Sequence, residues 1–155
     1  MKFNEYDIAL KNEGLELKII HRFNKDIDCI DKAMRFLLDQ YKLLCCARER
    51  AFILSYDVQG NFTGFMQISI GDHKDVQVSL NSIFKYLLLN NAYGCIFVHN
   101  HIKGCVLEPS ANDWALHYQI LSLCEILNIE LFANIILQNY SNYYNMLTNS
   151  LEELT

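Results

Sequence analysis

Cys95-Ile-Phe-Val-His-Asn-His101, followed after a short connection by Ser110-Ala-Asn-Asp113, is the stretch on which the reading of this 155-residue chain turns. An apolar run ending in two histidines predicts a buried strand, and side chains two apart on a strand share a face. The imidazoles of His99 and His101 then converge at the strand's end. Ser110-x-x-Asp113 matches a capping box at the start of a helix. There Ser110 caps a backbone N–H, and Asp113 suits the positive end of the helix dipole. Such a cap also holds Asp113 toward the two imidazoles. Each piece has a plainer reading: solvated or hydrogen-bonded histidines at a strand end, and a cap that is only a cap. Read together, they offer three metal ligands with a fourth position open to water, which is the layout of a catalytic rather than a structural zinc site.

Working outward, Tyr93–Val98 is the strand that leads to the histidines, and Ser110 to about Leu127 is the helix that follows. Glu130–Leu137 reads as a last strand. Ala51–Tyr56 and Phe62–Ile70 flank the turn residues Asp57–Asn61 and predict a hairpin. A helix capped by Asn81 or Ser79 runs to Asn90–Asn91 with Ile83, Phe84, Leu87 and Leu88 inward, and Val76–Val78 reads as a short strand or edge. Earlier in the chain, the alternation over Leu15–Ile20 predicts one strand within residues 5–21. Asn24 or Asp26 caps a helix to about Tyr41 on the spacing of Ile30, Ala33, Met34, Leu37 and Leu38. The tail from Tyr140 to Thr155 reads as a partly helical cap. Strands alternating with helices around a hairpin predict an α/β domain whose mixed sheet is flanked by helices.

The length suits one structural domain, and 52% hydrophobic residues are enough to build its core. Within it we expect an N-terminal strand and helix over residues 1–44, a main unit over 45–140 and a C-terminal cap over 141–155. The net charge of −5 argues against broad phosphate contact and direct nucleic-acid binding. The opening residues show no basic-then-apolar leader, and no apolar run approaches membrane-spanning length. Six cysteines without CxxC spacing fit a reduced chain. The expectation is a cytoplasmic protein with no membrane partner.

Glu49 stands between two arginines just before Ala51–Tyr56. A charged residue at a strand entrance is commonplace, but water at a zinc site needs a carboxylate to accept its proton and later deliver it to the leaving amine. Glu49, His99-x-His101 and Ser110-x-x-Asp113, taken in order, resemble the JAB/MPN/Mov34 (JAMM) metalloprotease signature, and within it the RadC-like JAB domain. Arg48-Glu-Arg-Ala-Phe-Ile-Leu54, Ile83–Ala92, Phe97-Val-His-Asn-His101 with Gly104 and Pro109-Ser-x-x-Asp113, and Leu131–Leu137 are similar to successive family segments over roughly residues 45–140. The resemblance implies cytidine-deaminase-like layering, with Zn²⁺ on His99, His101 and Asp113. It also implies Glu49 as general acid/base and Ser110 as a donor to the tetrahedral oxyanion. The substrates it implies are peptide or isopeptide bonds, including those of ubiquitin-like conjugates, and RadC-like members carry a DNA-repair label.

The chain departs from the family pattern in three places. Ile102-Lys103 replaces Pro-Ser, eight residues rather than seven separate His101 from Ser110, and Ala133-Asn134 stands where the family has Asp-His. These departures keep a second expectation open, a catalytically weak or inactive JAB scaffold that binds a protein partner. Cys105, in the connecting loop, is either an extra or inhibitory ligand or a cysteine without a role. His117, one helical turn after Asp113, either orients Asp113 from the second coordination shell or is an ordinary histidine at the edge of the core.

Overall fold

The computed structural model describes residues 2–11, 14–70, 78–102 and 107–155. Two strands open the chain, β1 (Lys2–Lys11) and β2 (Gly14–Asn24), followed by α1 (Ile30–Tyr41) and a 3₁₀ turn at Leu43–Cys45. Then come β3 (Arg50–Tyr56), β4 (Phe62–Ile70), α2 (Leu80–Leu89), β5 (Gly94–Asn100), α3 (Ala111–Leu127) and β6 (Glu130–Leu137). The chain closes with β7 (Asn142–Asn145) and β8 (Ser150–Glu153). Among the described residues, eight strands form one mixed sheet in the order β2-β1-β4-β3-β5-β6-β7-β8. The β1–β4 and β5–β6 pairs are parallel and the rest antiparallel.

Strand alternation divides the core between the two faces of the sheet. On β3, Phe52 and Leu54 join Met34, Leu37, Phe65, Val98 and Ile135 in a cluster covered by α1. Ala51 and Ile53 point the other way, into a second cluster with Ile83, Leu87, Phe97 and Ile120 under α2 and α3. Every residue of β5 is buried, because this strand lies in the middle of the sheet with helices on both faces. Phe97 belongs to the α2/α3 side, so the same alternation carries His99 and His101 to that side at the strand's end.

The predicted hairpin 51–70, the central strand, the long helix and the strand 130–137 are all present. Three expectations at the chain's ends are corrected. The N-terminal segment is two strands, because the Leu15–Ile20 alternation pairs with β1 rather than standing alone. α1 starts at Ile30 with Cys29 as its first flanking residue and no side-chain cap. Asn24 is still in β2, and Asp26 lies before the cap position, its carboxylate 3.9 Å from Lys32 Nζ. The tail is a β-hairpin rather than partly helical: β7 pairs with β6 and buries alternate residues, Tyr143 and Asn145. Of the two cap candidates for α2, Ser79 does the work, accepting from the Ser82 N–H at 3.2 Å. The strand expected over Val76–Val78 falls almost wholly outside the described residues.

Candidate metal centre

β5 and α3 meet at one end of the sheet, and their side chains build a three-residue donor group. The backbone N–H of His101 donates to the Leu137 carbonyl at 2.8 Å, which carries the β5–β6 ladder one residue past the strand and fixes where the second imidazole starts. His99 is buried and His101 half-buried. Across from them, Ser110 and Asp113 form a complete capping box. The Ser110 hydroxyl accepts from the Asp113 N–H at 3.2 Å, and the Ser110 N–H donates to Asp113 Oδ2 at 2.7 Å. The Ser110 hydroxyl also donates to Asp113 Oδ2, at 2.6 Å. The carboxylate is thus clamped in the first turn of α3 and aimed at the histidines.

The distances identify what the group is suited to hold. His99 Nε2 lies 3.1 Å from Asp113 Oδ1 and 3.3 Å from His101 Nε2, and His101 Nε2 lies 3.5 Å from Asp113 Oδ2. Four-coordinate zinc takes nitrogen and oxygen ligands at about 2.0–2.2 Å, which at tetrahedral angles puts neighbouring donor atoms roughly 3.3–3.5 Å apart. The separations of 3.3 and 3.5 Å fall in that range and the one of 3.1 Å lies just below it, the two contacts to Asp113 ending on different oxygens of its carboxylate. The electrostatics agree. Burial alone would raise the Asp113 pKa, but hydrogen bonds from His101 and His99, the charge of His99 and the Ser110 hydroxyl outweigh it, holding the carboxyl well below the usual carboxylate range. An ionised carboxylate and two imidazole nitrogens converging on one point form a donor set for a hard or borderline cation. Among the described residues these three are the only His, Cys, Asp or Glu side chains so gathered.

The remaining predicted residues are placed as follows. Glu49 lies immediately before β3, half-buried and outside the donor group. Ala51 pairs with His99, so the antiparallel register carried two positions further brings residue 49 level with His101. The Ser110 proton is committed to Asp113 in this arrangement, so any oxyanion contact requires that bond to be released. The longer loop between His101 and Ser110 does not keep Asp113 from the histidines. Cys105 lies outside the described residues.

Comparison with known proteins agrees with the geometry. The RadC-like JAB domain family matches residues 27–151. The chain belongs to that family. Among its relatives, the UPF0758 protein alr2351 of Nostoc sp. is 33% identical over 108 residues, covering 70% of this chain and 42% of that protein. UPF0758 protein MADE_1000235 of Alteromonas mediterranea is 32% identical over 117 residues, covering 76% and 49%. UPF0758 protein COPRO5265_1522 of Coprothermobacter proteolyticus is 29% identical over 127 residues, covering 82% and 52%. The matches span about half the length of these relatives.

In this RadC-like domain two asparagines matter that the sequence reading passed over or read only as a loss. Asn100, between the histidines, faces away from them and is buried. Its Oδ1 accepts from the Arg50 N–H at 2.8 Å and its Nδ2 donates to the Arg48 carbonyl at 3.4 Å. The residues on either side of Glu49 are thereby strapped to the strand that carries the histidines. The only available signal was a polar residue inside a strand that is otherwise apolar up to the histidines. Asn134 is the second. It approaches His117, with Nδ2 at 3.0 Å from His117 Nδ1. His117 is buried, Trp114 packs against it edge-on, and desolvation lowers its pKa. Its polar partner is therefore Asn134 rather than Asp113.

Proposed function

We propose that this RadC-like JAB domain is a zinc-dependent hydrolase of peptide or isopeptide bonds. The observation that carries the reading is the set of donor distances, 3.1, 3.3 and 3.5 Å, among His99, His101 and Asp113. Bound there, zinc would polarise the scissile carbonyl and lower the pKa of water. Glu49, immediately before the neighbouring strand β3, accepts the proton released by the attacking water and delivers it to the departing amine, leaving a carboxylate and a free amine. Asn100 positions Glu49 through the backbone on both sides of it. Ser110 keeps Asp113 ionised and aimed, and its hydroxyl, once released from Asp113, donates to the developing oxyanion. The fitting substrate is a peptide or protein, with ubiquitin-like conjugates as the isopeptide class.

No helix is long and apolar enough to cross a membrane, and Cys29, Cys45, Cys46, Cys95 and Cys124 are free thiols, which fits a reducing, cytoplasmic setting. A place in DNA repair would be reached through a protein substrate, since the net charge of −5 does not suit direct phosphate contact. The second reading, a scaffold that binds a partner without turnover, is favoured by Asn134 standing where the family has a titratable residue. One experiment separates the two: metal analysis of the purified chain, with peptide and isopeptide probes assayed for the native protein and Glu49→Gln. Stoichiometric zinc with Glu49-dependent cleavage supports the hydrolase. Stoichiometric zinc with no Glu49-dependent cleavage leaves the scaffold, and failure to bind zinc overturns the site itself.

A further inference from the structure

The family match begins at residue 27, so β1 and β2 lie outside it. They are nonetheless built into the sheet. β1 runs parallel to β4 with Asn4 opposite Gly64, and a Cβ at Gly64 would stand 2.6 Å from the Asn4 carbonyl oxygen, so glycine is what admits the added strand. The addition covers the β4 edge and presents a new one, because among the described residues β2 is the terminal strand of the sheet. That edge is 11 residues long, whereas the opposite edge, β8, has four. Natural proteins keep edges short, charged or bulged, because unpaired backbone groups recruit another strand.

β2 is regular from Gly14 to Ile19, and the ladder then shifts register at Ile20. Over this regular stretch one face of the hairpin is apolar: Leu10 pairs with Leu15, Ile8 with Leu17 and Tyr6 with Ile19. Tyr6, Ile8 and Leu17 are partly covered by the cluster under α2. Leu10 and Leu15 are not, at 82% and 43% exposed. On the other face Glu16 and Lys18 flank Leu17. We propose that two copies of this chain pair antiparallel through β2, about a two-fold axis at Leu17. That axis is the midpoint of the regular stretch Leu15–Ile19. It sets Leu17 against Leu17 of the second copy and Leu15 against Ile19 of the second copy. It also sets Glu16 against Lys18 of the second copy, twice by symmetry. Self-complementarity of this kind is what a closed two-fold interface requires. Glu16 already holds Lys11 at 2.9 Å, so the carboxylate would sit between two ammonium groups. The pairing joins the apolar faces of two hairpins into one surface and gives the exposed Leu15 a partner.

The proposal is independent of the hydrolase reading and is tested without it. Sedimentation equilibrium of the whole chain should show a concentration-dependent species at twice 18.1 kDa. Lys18→Glu sets like charges opposite each other at both ends of the pairing and should raise the dimer dissociation constant by about tenfold or more, on the scale of two cross-strand pairs. The double swap Glu16→Lys with Lys18→Glu should restore it, while circular dichroism of all three proteins stays the same. A monomer at every concentration into the hundreds of micromolar would overturn the proposal. So would a dimer indifferent to Lys18→Glu, or an open polymer of the kind that β2-to-β8 pairing would build.

Discussion

The two ends of β5 differ in a way that separates space from chemistry. At the Gly94 end, where α2 and α3 finish, there is a cleft of about 430 Å³ lined by Leu87, Leu88, Tyr93, Leu127 and their neighbours. At the Asn100 end, where α3 begins, the polar atoms of His99, His101 and Asp113 stand 3.1–3.5 Å apart, leaving room for an ion. The roomy end gathers mostly apolar side chains with two asparagines and the single carboxylate of Asp57; the tight end gathers titratable groups with a shared focus. The difference follows from topology. β5 and β6 are parallel and α3 is the crossover between them, so one end of this unit collects the carboxyl ends of the strands and the helix N-terminus, where ligands bind in open α/β sheets.

The largest effects should therefore arise at the tight end. His101→Ala removes a donor from a half-buried position without emptying the core. Its metal affinity should fall by more than the roughly 10–100-fold that loss of a merely supporting residue costs, read by calorimetric titration with zinc. Retained affinity would mean that the three residues are not the ligand set. Glu49→Gln should bind zinc as the native chain does and lose roughly 10²–10⁴-fold in turnover, the usual contribution of a positioned acid/base. A loss of both together would make Glu49 a ligand.

Asn100→Ala sharpens the comparison by asking how far the chemistry depends on support from behind. It deletes two hydrogen bonds from a buried side chain and leaves the Arg50 N–H without its partner. The expected cost is about 1–3 kcal/mol in stability, measured by urea unfolding. Zinc affinity should be kept and turnover should fall by less than in Glu49→Gln. Turnover unchanged at full zinc loading would show that Glu49 does not need the strap.

What was legible in the sequence were the local signals. The His99/His101 alternation and the Ser110–Asp113 cap act over two and three positions, so the pattern is the structure. The Arg50–Asn100 bond spans 50 positions, and nothing near Asn100 announces it. Similarly, β7 and β8 are four residues each and exist because β6 offers β7 an edge and β7 offers one to β8. Tyr and Asn are poor helix formers, but composition does not name a pairing partner. The start of α1 was hidden by an excess of plausible caps: Asn24 and Asp26 both fit, and Cys29, which has no capping side-chain bond, is where the helix begins. The N-terminal hairpin was half-legible, because β2 alternates cleanly whereas β1 mixes Asn4, Glu5 and Asp7 among its apolar residues.

His117 tests whether a buried imidazole near the tight end behaves like the metal pair. Desolvation lowers its pKa from the ordinary 6.5. A group of this kind contributes stability that is fully present above the unfolded-state value and is lost as pH falls through the folded-state value, because the unfolded chain takes up the proton first. Thermal unfolding of the metal-free chain between pH 7.5 and pH 5 should therefore slope downward on acidification below the ordinary value of 6.5, and His117→Gln should flatten part of that slope. An unchanged slope would assign the acid response to groups other than His117.

The smallest effect is expected at the roomy end, and its smallness carries the comparison. Leu88 lines the cleft and is more than half exposed. Leu88→Ser removes apolar surface that water already reaches, so stability should move by no more than about 0.5 kcal/mol. Zinc affinity and turnover should not move at all, since nothing in the donor group or around Glu49 touches that end. A fall in turnover with zinc affinity intact would mean that substrate extends along α2 to the far end of β5, and the two ends would then belong to one binding surface.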